Sequence, residues 1–378
     1  MSQTKAQLVS GTTAQDLTVD NINTTSVNSG QLSNRRININ GGFQVFQRST
    51  SATGVGSSEG YFAPDRYRQA GTGNMRYTAS QSTDVPAGYG FANSLKYDCT
   101  TASGTVGSGH FVAIEHRLEG QDVQVFNKGT AQAEQYTISF HVKSPKTGIH
   151  VVELYDNDNN RHVAKSYTIS SADTWQKVTL TFPADTTGAF DNDNGSSLRI
   201  FFWLMAGTDF TGSTLPSSWA SFSSAARATG QVNVFDSTSN DFFLTGVQLE
   251  VGSTATDFEH RRIGQEIDLC QRYYFKFLEG NTKEISASWY FTSSHISFFF
   301  RFPTTMRAVP TGSATSGTDY YHNYRNGGGD GINSIAFENG STEQYSGYNS
   351  SQASGTAGQC GLLRSTNASA KVEFSAEL

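Results

Sequence analysis

The sequence predicts an all-β chain, and three observations carry that prediction. Charged residues make up only 16% and aromatic residues 12% of the 378 positions, so there is large apolar area to bury and little charge to hold the chain open. Glycine is plentiful at 37 residues and proline scarce at 7, which suits many short strands joined by turns that need positive φ. Period-2 alternation then recurs along the chain, most plainly in YTISFHVK at 136–143, where Tyr136, Ile138, Phe140 and Val142 share one face. A chain of this length is expected to form two to three units of ~100–200 residues, each able to bury a core.

Residues 1–36 are polar, with isolated apolar positions at Leu8, Val9, Leu17, Val19, Ile22 and Val27. These are too few to offset the entropy of ordering the segment alone. Its Thr, Val and Ile content favours an extended segment that orders on a partner's edge. From 37 to 262 strands are expected near 80–83, 90–97, 110–117, 136–143, 149–155, 161–169 and 175–182. LRIFFWL at 198–204 is almost continuously apolar, as in a strand covered on both faces, and its Trp203 is expected in the core. Residues 207–231, rich in Ser, Ala and Gly and including Trp219 and Phe222, are too long for a hairpin and are expected as an excursion at the sheet edge.

The stretch from Asp241, DFFLTGVQLEV, closes this unit. Phe243, Thr245, Val247 and Leu249 are expected on one face, with Leu244, Gly246, Gln248 and Glu250 on the other. A turn at Gly252-Ser253, an apolar anchor at Phe258 and a polar exit through His260-Arg261-Arg262 follow. Residues 263–274, IGQEIDLCQRYY, form a short helical turn with Ile263, Ile267 and Cys270 on one side. Further strands are expected at 273–278, 285–291 and 295–302, with Pro303 and Pro310 as interruptions. A hairpin is expected at Asn339-Gly340 and a last strand at 370–376. The resulting division is 1–36, an extended segment; 37–262, a large β-sandwich; and 263–378, a second small β-sandwich.

A net charge of −6 with no run of Lys or Arg argues against a nucleic-acid partner. No stretch approaches the ~20 apolar residues of a membrane span, and Met-Ser-Gln-Thr-Lys lacks the apolar core of a signal peptide. Synthesis in a cytoplasm and no membrane insertion are therefore expected. The three cysteines, Cys99, Cys270 and Cys360, have no metal-ligand spacing and read as small buried thiols, a Cys270–Cys360 bridge being left open.

No catalytic constellation emerges. Gly56-Ser57-Ser58-Glu59-Gly60 satisfies G-x-S-x-G, but it lies in a loop between strands, whereas a nucleophile elbow needs strand, turn and helix. Asp156, Asp158 and Asn160 open like a calcium loop, yet Arg161 stands where glycine is needed, and Asp191, Asp193 and Gly195 fail similarly, so both read as Asx turns. His110, His116 and His141 show no ligand spacing. Glu115 and Glu119 invite comparison with a glycosidase pair but are expected to be solvated strand-face charges. No cofactor, no metal and no enzymatic activity are expected. Sugar recognition needs aromatic platforms beside amide or carboxylate groups, and Tyr320, Tyr321, Tyr324, Tyr345 and Tyr348, set among Gly, Asn and Ser, are the candidate glycan-binding residues.

Three motifs, INGGFQVFQR at 39–48, PDRYR at 64–68 and TGVQLEVGSTATDFEHR at 245–261, occur in order. Together they resemble the opening, second and closing strands of a jelly roll like that of carbohydrate-binding modules, found in tail-fibre and structural proteins of phages, notably those infecting marine bacteria and cyanobacteria. The resemblance covers residues 34–274, and LCQRYY followed by FPTTMRAVPT is similar to the region that follows the jelly roll in those proteins. It implies a virion tail fibre whose residues 1–36 dock on a tail or portal-proximal adaptor, and whose β domains face host surface polysaccharide. The resemblance implies a homotrimer as well, with which cyclic closure and the Phe298-Phe299-Phe300 run, leaving apolar groups on both faces of a strand, are compatible. Related modules hold a structural calcium with acids on the first and last strands, where this chain has Gln44 and Thr245. A head fibre or capsid decoration protein, and a surface-glycan depolymerase, are the alternatives; no internal repeat of a β-helix supports the last.

Overall fold

A computed structural model of the chain describes residues 34–378 and the backbone of β1 (Ser26–Val27) and β2 (Gly30–Gln31). Apart from β1 and β2, the expected docking segment therefore lies, up to residue 33, outside the described residues. The chain continues through β3 (Ser51–Val55), β4 (Tyr67–Ala70), β5 (Arg76–Ser82), β6 (Ser94–Thr101), β7 (Phe111–Glu119), β8 (Tyr136–Lys143) and β9 (Gly148–Asp156). Next come β10 (Arg161–Ile169), β11 (Gln176–Phe182), β12 (Ser196–Ala206), β13 (Ala220–Ser221) and β14 (Asp241–Val251). They form two antiparallel sheets, β13-β10-β9-β12-β7-β4 and β11-β8-β14-β6-β5-β3. The inner faces meet in one core that includes Phe43, Tyr67, Ile114, Phe140, Phe202 and Val247, so the predicted β-sandwich is the architecture observed.

Two local expectations need correction. The opening motif is no strand. Asn40 and Phe43 take left-handed φ of 56° and 49°, and the Asn40 amide replaces strand pairing: its Oδ1 accepts the N–H groups of Gln44 and Val45 at 3.0 Å, while its Nδ2 donates to the carbonyls of Val45 and Asp65. Asn tolerates this conformation because its short polar side chain can bond locally. The facing expected for β14 fails along half its length. Phe242 and Leu244 enter the core, a bulge between Thr245 and Gln248 shifts the register, and Val247 and Leu249 then point inward. Phe243 lies on the opposite face against Trp175. An extra residue in one strand inverts the phase of all that follows.

The three motifs meet as a clasp. Asn38 donates to the Val247 carbonyl at 2.9 Å and accepts the Leu249 N–H at 2.8 Å. Gln248 accepts the Glu259 N–H at 2.8 Å, and the Glu250 carboxylate accepts the Thr256 N–H at 2.9 Å. Buried Arg36 pairs with Glu266, and Asp65 accepts the Gln47 N–H at 3.1 Å. These residues satisfy buried polar groups where the sheets close, which buried donors and acceptors require.

Helix α1 (Ile263–Gln271) follows, and then β15 (Tyr274–Glu279), β16 (Glu284–Thr292), β17 (His295–Arg301), β18 (Thr311–Ala314), β19 (Tyr321–Arg325) and β20 (Gly328–Ile332). The last strands are β21 (Ala336–Glu338), β22 (Gln344–Asn349), β23 (Cys360–Ser365) and β24 (Lys371–Ser375). They make sheets β15-β24-β18 and β20-β19-β23-β16-β17-β22-β21, packed over Phe298, Phe300, Tyr321, Leu363, Val372 and Phe374. Cys270 and Tyr273 close on Ile39 and Val45 of the first sandwich. All three cysteines are free; Cys99 and Cys270 are buried, but Cys360 is exposed, so the thiol expected there to be buried is not and the bridge is not formed.

Candidate functional site

The outer face of the β9-β12-β7-β4 region holds the densest set of functional side chains. Strand alternation puts Phe202 into the core and its neighbours Phe201 and Trp203 outside it, and likewise Ile114 inside and Glu115 outside. The 207–231 excursion folds over this face. Its β13 pairs with β10, Ala164 N–H donates to the Pro216 carbonyl at 3.1 Å, and Phe210 and Leu215 pack beside Trp203 and Ala228. Trp203 is therefore buried, as expected, but under the excursion and not between the sheets.

The part left open is a cleft of about 250 Å³ whose walls include Arg68, Glu115, Arg117, Tyr155, Arg199 and Phe222. Glu115 and Glu119 correct the sequence expectation, for neither is solvated. Glu115 is 1% exposed and is held by Arg117 and Arg68; Glu119 is fully buried and pairs with Arg272 at 2.7 Å. Below the cleft, buried Glu153 accepts from Arg227 at 3.0 Å, from Trp203 Nε1 at 3.1 Å and from His162 Nδ1 at 2.9 Å, while Arg227 lies 4.8 Å over the rings of Phe201 and Trp203. This network fixes the floor. At the rim Glu59 pairs with Arg68 and accepts the Gly71 N–H at 2.8 Å; partial burial opposes its ionisation, but these partners hold its carboxyl below the usual range.

The predicted tyrosines do not form one site. Tyr321 is a core residue whose hydroxyl donates to the Thr315 carbonyl at 2.9 Å, because 321–332 is the hairpin β19–β20 and not a turn-rich loop. Tyr320 and Tyr345 pack on the same core. Tyr324 is 43% exposed beside His322. Tyr348 stacks on His295 at 5.1 Å and 4°, next to a cleft of about 370 Å³ lined by Trp289, Phe291 and Phe299.

A further cleft of about 330 Å³ lies on the other sheet, lined by Tyr89, His141, Lys177, Gly246 and Phe258. Among the described residues neither ring nitrogen of His141 has a partner. The two suspected calcium loops are Asx turns, with Asp156 Oδ1 accepting the N–H groups of Asp158 and Asn159 and Asp193 Oδ1 accepting that of Gly195. Among the described residues no helix is long and apolar enough to cross a membrane.

No family model and no curated protein matches the chain. Among solved structures it is similar to the enzymatically active domain of bacteriophage CBA120 tailspike protein 4, with 14% identity and a TM-score of 0.29 over 57% of this chain and 21% of that one. It is also similar to a CBM4 structure, with 12% identity and a TM-score of 0.29 over 56% of this chain and 97% of that one. A third is the family 11 carbohydrate-binding module from Clostridium thermocellum, solved with a β-1,3-1,4-mixed-linked tetrasaccharide, with 12% identity and a TM-score of 0.27 over 55% of this chain and 99% of that one. The chain spans about a fifth of the length of the tailspike domain.

Proposed function

We propose that this chain is a virion structural protein, a phage tail fibre, that binds host surface glycan in the cleft over β4, β7, β12 and β9. The observation that carries the glycan reading is the cleft itself. Tyr155 and Phe222 meet edge to face, 5.3 Å apart, at its wall, and guanidinium donors stand within it. An aromatic surface beside fixed hydrogen-bond donors is what a saccharide ring needs to be stacked and oriented. The virion assignment rests on the resemblance of the three motifs.

Binding without cleavage is part of the proposal. Glu115 and Glu119 are four residues apart on β7, so the strand rise separates them by roughly 13 Å, more than the ~5–9.5 Å between the carboxylates of a glycosidase. Both are also committed to arginine partners. Microcalorimetry of the full chain against purified host surface polysaccharide tests the reading. Saturable binding lost in Phe222→Ala, with no release of reducing ends, is expected. Binding that survives this change places the glycan elsewhere, and reducing ends would make the protein a depolymerase.

A further inference from the structure

The cleft holds more cation than its own carboxylates neutralise. Buried Glu115 is shared: Arg117 reaches it with Nε at 2.9 Å and Nη2 at 3.1 Å, and Arg68 Nη1 at 2.7 Å. Arg199 Nη1 stands off at 3.7 Å, outside hydrogen-bond reach. Glu59 is taken by Arg68 and Gly71, and Arg227 is matched by Glu153 beneath the floor. Among the described residues, Arg199 is left with one neutral acceptor, Asn157 Oδ1, at 2.6 Å, and its Nε is buried without a partner. Burial and the like charge of Arg117 push its pKa down. A guanidinium held among other guanidiniums without an anion of its own is an anion site in waiting. Its Cζ lies 5.7 Å from the centre of the Tyr155 ring, so an anionic group at Arg199 would sit beside the aromatic wall.

We propose, resting on the glycan reading above, that the cleft selects an acidic saccharide: its carboxylate or sulfate group sits against Arg199, flanked by Arg68 and Arg117, and its sugar ring lies on Tyr155 and Phe222. The net charge of the whole chain is −6, so attraction of a polyanion to the protein at large is disfavoured and the selection is local.

The test uses the full-length protein and polymers matched in backbone. Polygalacturonate is compared with its methyl ester, dextran sulfate with dextran, and polyglutamate serves as a polyanion without sugar. One or both acidic glycans are expected to bind at least tenfold more tightly than the uncharged partner, more weakly as salt rises, and polyglutamate not at all; which acidic polymer binds separates carboxylate from sulfate. Arg199→Gln should weaken that binding at least tenfold with the thermal midpoint held. Glu59→Gln, which frees Arg68, should strengthen it severalfold, a gain no purely structural role predicts. Equal binding of charged and uncharged polymers, lost in Phe222→Ala, overturns the acidic selectivity and leaves glycan binding standing. Equal binding of polyglutamate, failure of both acidic polymers, or indifference to Arg199→Gln also overturns it.

Discussion

Single residues in this protein do their work mostly through buried polar bonds, as where Arg68 and Arg117 hold Glu115 and Arg272 holds Glu119. Alternation assigns a charged residue to a face, but it does not say whether another element covers that face. Glu115 and Glu119 are thus read as solvated, and the structure buries both beneath arginines. Arg68, Arg117 and Arg199 belong to three strands, and only the sheet brings them together. The usable signal was an arginine interrupting an otherwise apolar strand, as in LRIFFWL. Burial also sets a pH dependence. His141 and His150 are pushed down to about 4, chiefly by desolvation, with Lys177 adding to it at His141. A histidine near 6.5 when unfolded and near 4 when folded binds its proton preferentially in the unfolded chain. Its stabilising contribution is complete above pH ~6.5 and is lost as pH falls through about 4. We expect thermal melts to show stability declining from pH 6.5 to 4, by on the order of 2–3 kcal/mol for His150 and by less for His141, which borders an open cleft where solvent screens it, and the decline to be shallower in His141→Gln. A flat profile over that range would show that the rings are solvated.

At the scale of elements, most strands were legible because their two faces differ. β8 and β10 begin and end where the alternation places them, and Asn339, at a φ of 50°, turns the chain between β21 and β22 as its Asn-Gly signal indicates. Strands β18, β19, β20 and β23 carry no such signal: GGDGI, which is β20, has no alternation, and its hairpin partner β19 is held on its other side by β23, distant in sequence. The bulge in β14 falls at Gly246, and an isolated glycine inside a strand is its sequence signal. Gly246 has a φ of 64°, and a Cβ there would stand 2.5 Å from the Phe91 ring and 3.0 Å from His141 Nδ1. Gly246→Ala combines a left-handed strain with a steric clash, and we expect it to cost about 2–4 kcal/mol. Chemical denaturation measures this directly. A loss under ~1 kcal/mol would mean that β14 straightens and moves its register, which near-ultraviolet circular dichroism would register as altered aromatic packing.

For the whole molecule, the described residues leave an aromatic surface of the second sandwich without a cover. Phe298 and Phe300 enter its core, while Phe299 and Phe291 stand 42% and 70% exposed beside Trp289. Exposed aromatic clusters of this kind are uncommon on monomers, and on that ground we propose a homotrimer closed through this face. Light scattering should give three chains, and Phe291→Ser with Phe299→Ser should release monomers; a wild-type monomer at micromolar concentration sinks the trimer.

The two sandwiches are themselves joined by charge as much as by apolar contact, and this joint turns on Glu377. Its carboxylate takes Arg66, which is fully buried and stacked 3.4 Å over Tyr273, and Arg48 at 3.1 Å. Arg117 and Tyr61 reach the main-chain oxygen of Leu378 beside it, and Arg307 exchanges hydrogen bonds with Asn194 across the same seam. Arg66, the first arginine of the PDRYR motif, is thus a joint between units, whereas Arg68, the second, faces the cleft. Removing the carboxylate strands a buried guanidinium, so Glu377→Ala should cost ~3–5 kcal/mol. Because that energy couples the two cores, we expect calorimetry to show one transition in the wild type and two in the variant, the second sandwich melting first. Two transitions already in the wild type would show that the units unfold independently and that the joint only orients them.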